Sequence, residues 1–225
     1  MFDRKKIGMI IAEVVGTFIL AVVAISVASM FNRTAPLYVS LAVGTTLAVL
    51  VGTIGRVSGA HVNPAITLGL WTLRKIPTPQ ALVYVAAQLL GGALALAYVE
   101  YSRDMDIIQT GMTTIDSRVF LAEMVGAAVF GFGVAAVITQ KLEGYQAAFT
   151  IGASLTVGIL VASLSAPGFL NPAVALANNT WDRTVVVAPL LGSVIGMNAY
   201  SLFLAPTSSL SKPNITTKKA TKRKK

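Results

Sequence analysis

The sequence predicts an all-α membrane protein, with six transmembrane helices and two shorter re-entrant half-helices arranged as an inverted repeat. Three observations carry that prediction. Of the 225 residues, 55 % are hydrophobic and 12 % charged, about half the charged share of a soluble domain, and mean hydropathy is +0.73. Apolar runs near 7–29, 37–55, 80–99, 118–139, 145–163 and 184–204 recur along the chain. Each is about 20 residues, enough to cross a hydrocarbon core of roughly 30 Å at 1.5 Å rise per residue. Finally, the two halves of the chain resemble each other in the same motif order.

Residues 1–6 carry Arg4, Lys5 and Lys6 and precede the first span. That span, from Ile7 to about Met30, is long enough to cross and has no polar cleavage region, so no cleavable signal peptide is expected. It contains "AEVVGTF" (12–18), whose Glu13 and Gly16 recur as Glu123 and Gly126 in "AEMVGAAVF" (122–130) of the fourth span. The second span carries Val43 and runs into "SGAHVNPAITLGLW"; the fifth carries Ile159 and runs into "SAPGFLNPAVALAN". The third span, "AAQLLGGALALAY", matches "VAPLLGSVIGMNAY" of the sixth, pairing Gly91 with Gly192. One copy therefore occupies about 7–100 and the other about 117–206, within a membrane domain at 7–206. Three spans per copy is an odd number, so the second copy is inverted, and inverted repeats place the functional site near the bilayer midplane where interrupted helices meet. The apolar pieces after Asn63 and Asn171 are too short to span. By length alone each is a surface loop or a re-entrant half-helix; the inverted repeat favours the half-helix.

Charge placement sets the orientation. With both termini inside, 14 Lys and Arg residues lie on the inner side and 4 on the outer, which the positive-inside rule reads as cytoplasmic termini. Seven of the inner cations lie in the polar tail 207–225, expected to be disordered and cytoplasmic, with attraction to anionic lipid as its functional alternative. This placement argues against nucleic acid as the partner of the +9 net charge. The chain has no cysteine and a single histidine, His61. Cys-ligated and multi-His metal sites are excluded, and no catalytic triad or phosphate loop occurs, so neither a cofactor nor an enzymatic activity is expected.

The two Asn-Pro-Ala triplets carry the site. Pro at the first helical position wastes no N–H, and Asn before it caps the helix through its side-chain oxygen while its NH₂ remains a donor. Asn63 and Asn171 are thus donors at positive helix ends, and the inverted repeat predicts that they meet near the bilayer midplane. Ala65 and Ala173 are small enough for the two tips to pack closely. Glu13 and Glu123 are intramembrane carboxylates, functional candidates by default; their symmetry points to a structural role, accepting hydrogen bonds from the irregular backbone before each triplet. His61 is expected to orient the first triplet's loop, with a pH-responsive gate as the alternative. Gly16, Gly91, Gly92, Gly126 and Gly192 permit close helix packing, and Trp71 and Trp181 read as interfacial anchors. Asn32-Arg33-Thr34 and Asn178-Asn179-Thr180 match the glycosylation pattern by chance unless the host is eukaryotic.

These motifs, in order over about residues 8–204, resemble the aquaporin (major intrinsic protein) family. The resemblance implies a homotetramer with one pore per subunit, in a cell membrane, passing water or small neutral solutes. Positive half-helix ends that exclude protons and cations are a known feature of aquaporin-type pores. The chain departs from the family where an Arg usually follows the second triplet and lines the narrowest constriction: here the residue is Val174. The other constriction positions, by motif-relative alignment, are Val43, Ile159 and Gly168, and an Asp typical of glycerol facilitators is replaced by Ala175. The expected filter has no charge, aromatic ring or side-chain donor. Lost bulk widens it; lost polar groups raise the cost of stripping water by about 1–3 kcal/mol per unreplaced hydrogen bond. The expectation is a wide, weakly selective channel for water and small neutral solutes. A solute pore (glycerol, urea, ammonia) with poor water permeability is the alternative. A structural or adhesion protein with an occluded pore is the alternative of another class.

Overall fold

The computed structural model describes residues 3–31, 35–111 and 115–205. Among them are eight helices: α1 (Arg4–Met30), α2 (Pro36–Ser58), α3 (Pro64–Thr72), α4 (Thr78–Arg103), α5 (Ser117–Gln140), α6 (Gly144–Ala162), α7 (Pro172–Ala177) and α8 (Arg183–Phe203). Six are long and apolar enough to cross a membrane, and their bounds lie within a few residues of the apolar runs. The sequence prediction of an all-α fold with six spans holds. The tail at 207–225 and the Asn32-Arg33-Thr34 triplet lie outside the described residues.

The core is apolar, as in a soluble protein, but large apolar side chains also cover the outside. Ile11, Val49, Leu82, Phe149 and Ile195 are exposed on the outer faces, whereas Glu13, Thr17, Gln88, Glu123 and Ser193 are fully buried. Such a surface is stable only against lipid. Where helices pass closely, small residues allow it. A Cβ on Gly91 of α4 would meet the Val14 carbonyl of α1 at 2.5 Å, and one on Gly126 of α5 would meet the Gly158 carbonyl of α6 at 2.6 Å. The same geometry joins α5 to α8, where Gly192 lies against the Met124 carbonyl. Backbone-to-backbone approach of this kind replaces the hydrophobic driving force that is missing between helices in lipid.

The pieces after Asn63 and Asn171 are helices with buried N-terminal turns: Pro64, Ala65, Pro172 and Ala173 are all inaccessible or nearly so. They are half-helices of nine and six residues, about 14 and 9 Å long. Both end in the same motif. In α3 the Lys75 N–H donates to the Leu70 carbonyl and the Arg74 N–H to that of Trp71. In α7 Thr180 donates to Ala175 and Asn179 to Leu176. Arg74 (φ 55°) and Asn179 (φ 51°) occupy the left-handed position where Gly is usual.

Candidate functional site: an asparagine pair under an apolar cavity

Each half-helix is capped by its own Asn and tied to the other. Asn63 Oδ1 accepts from the Ala65 N–H at 2.8 Å, and its Nδ2 donates to the Leu170 carbonyl at 2.9 Å. Asn171 Oδ1 accepts from the Ala173 N–H at 3.0 Å, and its Nδ2 donates to the Val62 carbonyl at 2.9 Å. The bonds form a reciprocal pair across the repeat axis. They also revise the expectation of a wholly unused amide: one N–H of each Asn is committed to the opposite loop, leaving one per residue for a solute. The Val62 and Leu170 carbonyls face the Asn side chains because both residues adopt positive φ, 42° and 50°. This conformation is costly for a branched side chain, and it persists because hydrogen bonds on both sides determine it.

Glu13 and Glu123 supply those bonds. Glu123 accepts from three backbone N–H groups, Gly168 (2.8 Å), Phe169 (2.9 Å) and Leu170 (2.8 Å). Glu13 accepts from the His61 (3.0 Å) and Val62 (2.8 Å) N–H groups, and from the side chains of Ser58 (2.6 Å) and Gln88 (2.7 Å). The third N–H of this loop, on Ala60, donates to Ser58 Oγ at 3.1 Å, so a hydroxyl bridges it to the carboxylate. Gln88 also donates to Thr67 Oγ1, which lies 3.2 Å from His61 Nδ1. The His61 ring meets Tyr84 edge-on, and Tyr84 donates to the Ser58 carbonyl. The sequence reading missed Ser58, Thr67, Tyr84 and Gln88. Gln88 carried a usable signal, an amide in the middle of an otherwise apolar span. The others did not stand out, because their partners lie far along the chain.

Beside the Asn pair lies a cavity of about 390 Å³. It runs past the C-terminal halves of α1 and α6 and the N-terminal half of α2. Val43, Ile159, Gly168 and Val174 all border it, together with His61, Asn63 and Asn171. Ala65, Ala173, Glu13 and Glu123 do not; they are fully buried behind it. Ser163 and Asn178 are the other polar side chains on its wall; Leu20, Leu47, Phe130, Leu155 and Phe169 extend the apolar surface. Asn178 is 4 % exposed and its Nδ2 donates to the Val174 carbonyl at 2.9 Å. That burial makes the Asn178-Asn179-Thr180 triplet a poor glycan acceptor. Gly168 has φ 74°, and a Cβ there would come within 3.2 Å of Ile159 Cγ2, so its absence keeps that part of the wall open.

The sequence signature of the family described as Major intrinsic protein matches residues 2–200. The chain belongs to the major intrinsic protein family. The aquaporin NIP3-1 of Zea mays is 32 % identical over 213 residues, covering 87 % of this chain and 69 % of that protein. The "Probable aquaporin NIP7-1" of Arabidopsis thaliana is 29 % identical over 230 residues, covering 95 % and 84 %. The X-ray structure of the aquaglyceroporin from Plasmodium falciparum superposes with a TM-score of 0.75 at 20 % identity, over 91 % of this chain and 99 % of that one, which shows a shared fold. Major intrinsic proteins are channels rather than enzymes, and this member is an integral, multi-pass passive channel for water and small solutes. Among the described residues no cluster of metal-ligating side chains occurs.

Proposed function

We propose that this chain forms a wide, weakly selective pore for water and small neutral solutes, with its outer constriction at Val43, Ile159, Gly168 and Val174 and its centre at the Asn63–Asn171 pair. The observation that carries the reading is the common cavity: three aliphatic side chains and a glycine share one wall with two Asn amides. In this reading a solute sheds part of its water shell at the apolar ring and regains a donor from each Asn. The N-termini of α3 and α7 point positive potential at the same place and oppose cations, carrying more of the exclusion than in relatives with a filter Arg. Glu13 and Glu123 act as struts that hold the loops, and His61 orients the first of them. An open cavity that reaches down to the Asn pair supports a channel rather than a structural protein. The chain is further proposed to assemble as a homotetramer in the cell membrane, with cytoplasmic termini by the positive-inside rule and a tail available to anionic lipid.

Stopped-flow light scattering on proteoliposomes tests the reading, first with an impermeant osmolyte and then with a glycerol gradient. Both signals are expected to exceed those of empty vesicles; equality with empty vesicles in both overturns it. The second reading, a solute pore that passes water poorly, is favoured by the apolar wall. It predicts a glycerol signal well above background with a water signal near it.

A further inference from the structure

The end of α3 carries a feature that conduction does not use. With its N-terminus at the Asn pair, a nine-residue helix advances about 14 Å, close to the roughly 15 Å half-thickness of the hydrocarbon core. The turn into α4 therefore reaches headgroup level. There Trp71, Arg74, Lys75 and Thr78 line an open groove. The Trp71 indole N–H donates to Thr78 Oγ1 at 3.0 Å, which fixes the aromatic wall. Arg74 and Lys75 are exposed, and among the described residues neither side chain has a hydrogen bond or ion pair. Arg74 moreover occupies the left-handed position with φ 55°, where Gly removes the strain; a cation stands there at a conformational cost.

The surroundings indicate the sign of the partner. On the membrane face that holds this turn, the described residues include Arg4, Lys5, Lys6, Arg56, Arg74, Lys75 and Lys141 against only Asp3 and Glu143. On the opposite face Arg103, Arg118 and Arg183 are outnumbered by Glu100, Asp104, Asp106, Asp116 and Asp182. The equivalent turn after α7 is not free: the Thr110 N–H donates to the Asn179 carbonyl, Asn179 Nδ2 donates to the Ile107 carbonyl, and the Thr110 and Thr180 hydroxyls share a bond. Among the described residues, protein covers the turn after α7, whereas at the end of α3 only Asn198 of α8 reaches in, donating to Thr72 Oγ1 at 2.9 Å, and Arg74 and Lys75 stay exposed.

We propose that the groove at the α3–α4 turn binds the phosphodiester of an anionic phospholipid, with Arg74 and Lys75 contacting the phosphate and Trp71 lying against the glycerol and upper acyl carbons. A cation near an anionic bilayer surface is worth a factor of about five, so two confer a preference of order 25-fold over a zwitterionic lipid. The site lies outside the conducting cavity and depends only on the membrane architecture.

The chain has two tryptophans, which provides the test. Full-length Trp181→Phe leaves Trp71 as the sole fluorophore; full-length Trp71→Phe leaves Trp181 as the control on the other face. Each is reconstituted in phosphatidylcholine vesicles containing rising fractions of brominated phosphatidylglycerol or brominated phosphatidylcholine. Trp71 quenching is expected at a mole fraction at least tenfold lower for the anionic lipid, and Arg74→Gln with Lys75→Gln is expected to bring the two lipids within about twofold. Trp181 is expected to be insensitive to those substitutions. Arg74→Gly removes one cation while relieving the backbone, so a loss of about fivefold in protein that still elutes as a sharp peak separates binding from misfolding. Equal quenching of Trp71 by both lipids overturns the proposal. So does a preference that survives the double substitution, which would belong to the rest of the basic face or the tail. Suppression of the preference by millimolar inorganic phosphate would assign the groove to a free anion and also overturn it.

Discussion

The two halves of the channel perform one backbone task with different chemistry. In the second half, Glu123 accepts three loop N–H groups directly, and among the described residues no side-chain donor joins it. In the first, Glu13 accepts two loop N–H groups and is buttressed by Ser58 and Gln88, with Thr67, His61 and Tyr84 behind them. By the repeat offsets, the second-half counterparts of Ser58, His61, Thr67, Tyr84 and Gln88 are Ala166, Phe169, Ala175, Val185 and Pro189, none of which has a side-chain hydrogen-bonding group. The backbone geometry has therefore been kept while the polar network around it exists on one side only. An intramembrane carboxylate needs its lone pairs satisfied, and two different sets of donors meet that need.

The largest expected effect comes from removing the struts. Glu123→Ala strands two buried and one part-buried backbone N–H group; at about 1–3 kcal/mol for each unsatisfied donor, a loss of about 3 kcal/mol or more is expected, read as a collapse of the thermal midpoint in detergent. Glu13→Ala is expected to cost clearly less, because Gln88 can turn its carbonyl and Ser58 its hydroxyl toward the vacated donors. Equal losses would mean that the first-half network contributes nothing to the loop.

An intermediate effect is expected at the residue after each triplet. Ile66 is packed in the core, whereas its counterpart Val174 borders the cavity. Val174→Arg is accordingly expected to leave the fold intact and lower glycerol permeability by about tenfold, equivalent to about 1.4 kcal/mol of added barrier, with water less affected. Proteoliposome flux measures it, and unchanged solute flux would place the constriction elsewhere. Gly168→Ala is expected to narrow the same wall and to cost about 1–2 kcal/mol through its positive φ.

The smallest effect concerns the half-helix ends. Arg74→Gly is expected to raise stability by up to about 1 kcal/mol and Asn179→Gly by only a few tenths, since Asn tolerates the left-handed region better than Arg does. A thermal shift series on both variants would measure the difference. A larger gain at Asn179 would mean that its bonds to the 104–111 segment strain α7 rather than hold it.

Much of this was legible in the residues. Apolar run length located six spans, because lipid leaves a helix no other way to satisfy its backbone. The two Asn-Pro-Ala triplets located the half-helix starts, because a cap and a leading proline act within one turn. Two kinds of feature were not legible. Ser58, Thr67 and Gln88 join Glu13 across up to 75 residues of chain, and no local pattern encodes that. Nor does the motif reveal that each Asn spends an N–H on the opposite loop, since that depends on the carbonyls of Val62 and Leu170 turning inward.

The order of apolar runs, the inverted duplication and the capped triplets therefore settled architecture and family without reference to coordinates, because each rests on spacing along one helix or on burial in lipid. The cross-tied asparagines, the one-sided network at Glu13, the unequal reach of α3 and α7 and the single cavity shared by Val43, Ile159, Gly168 and Val174 emerged only in three dimensions. Each arises where segments distant in sequence converge, and the free energy of those meetings belongs to pairs of residues that no short stretch contains.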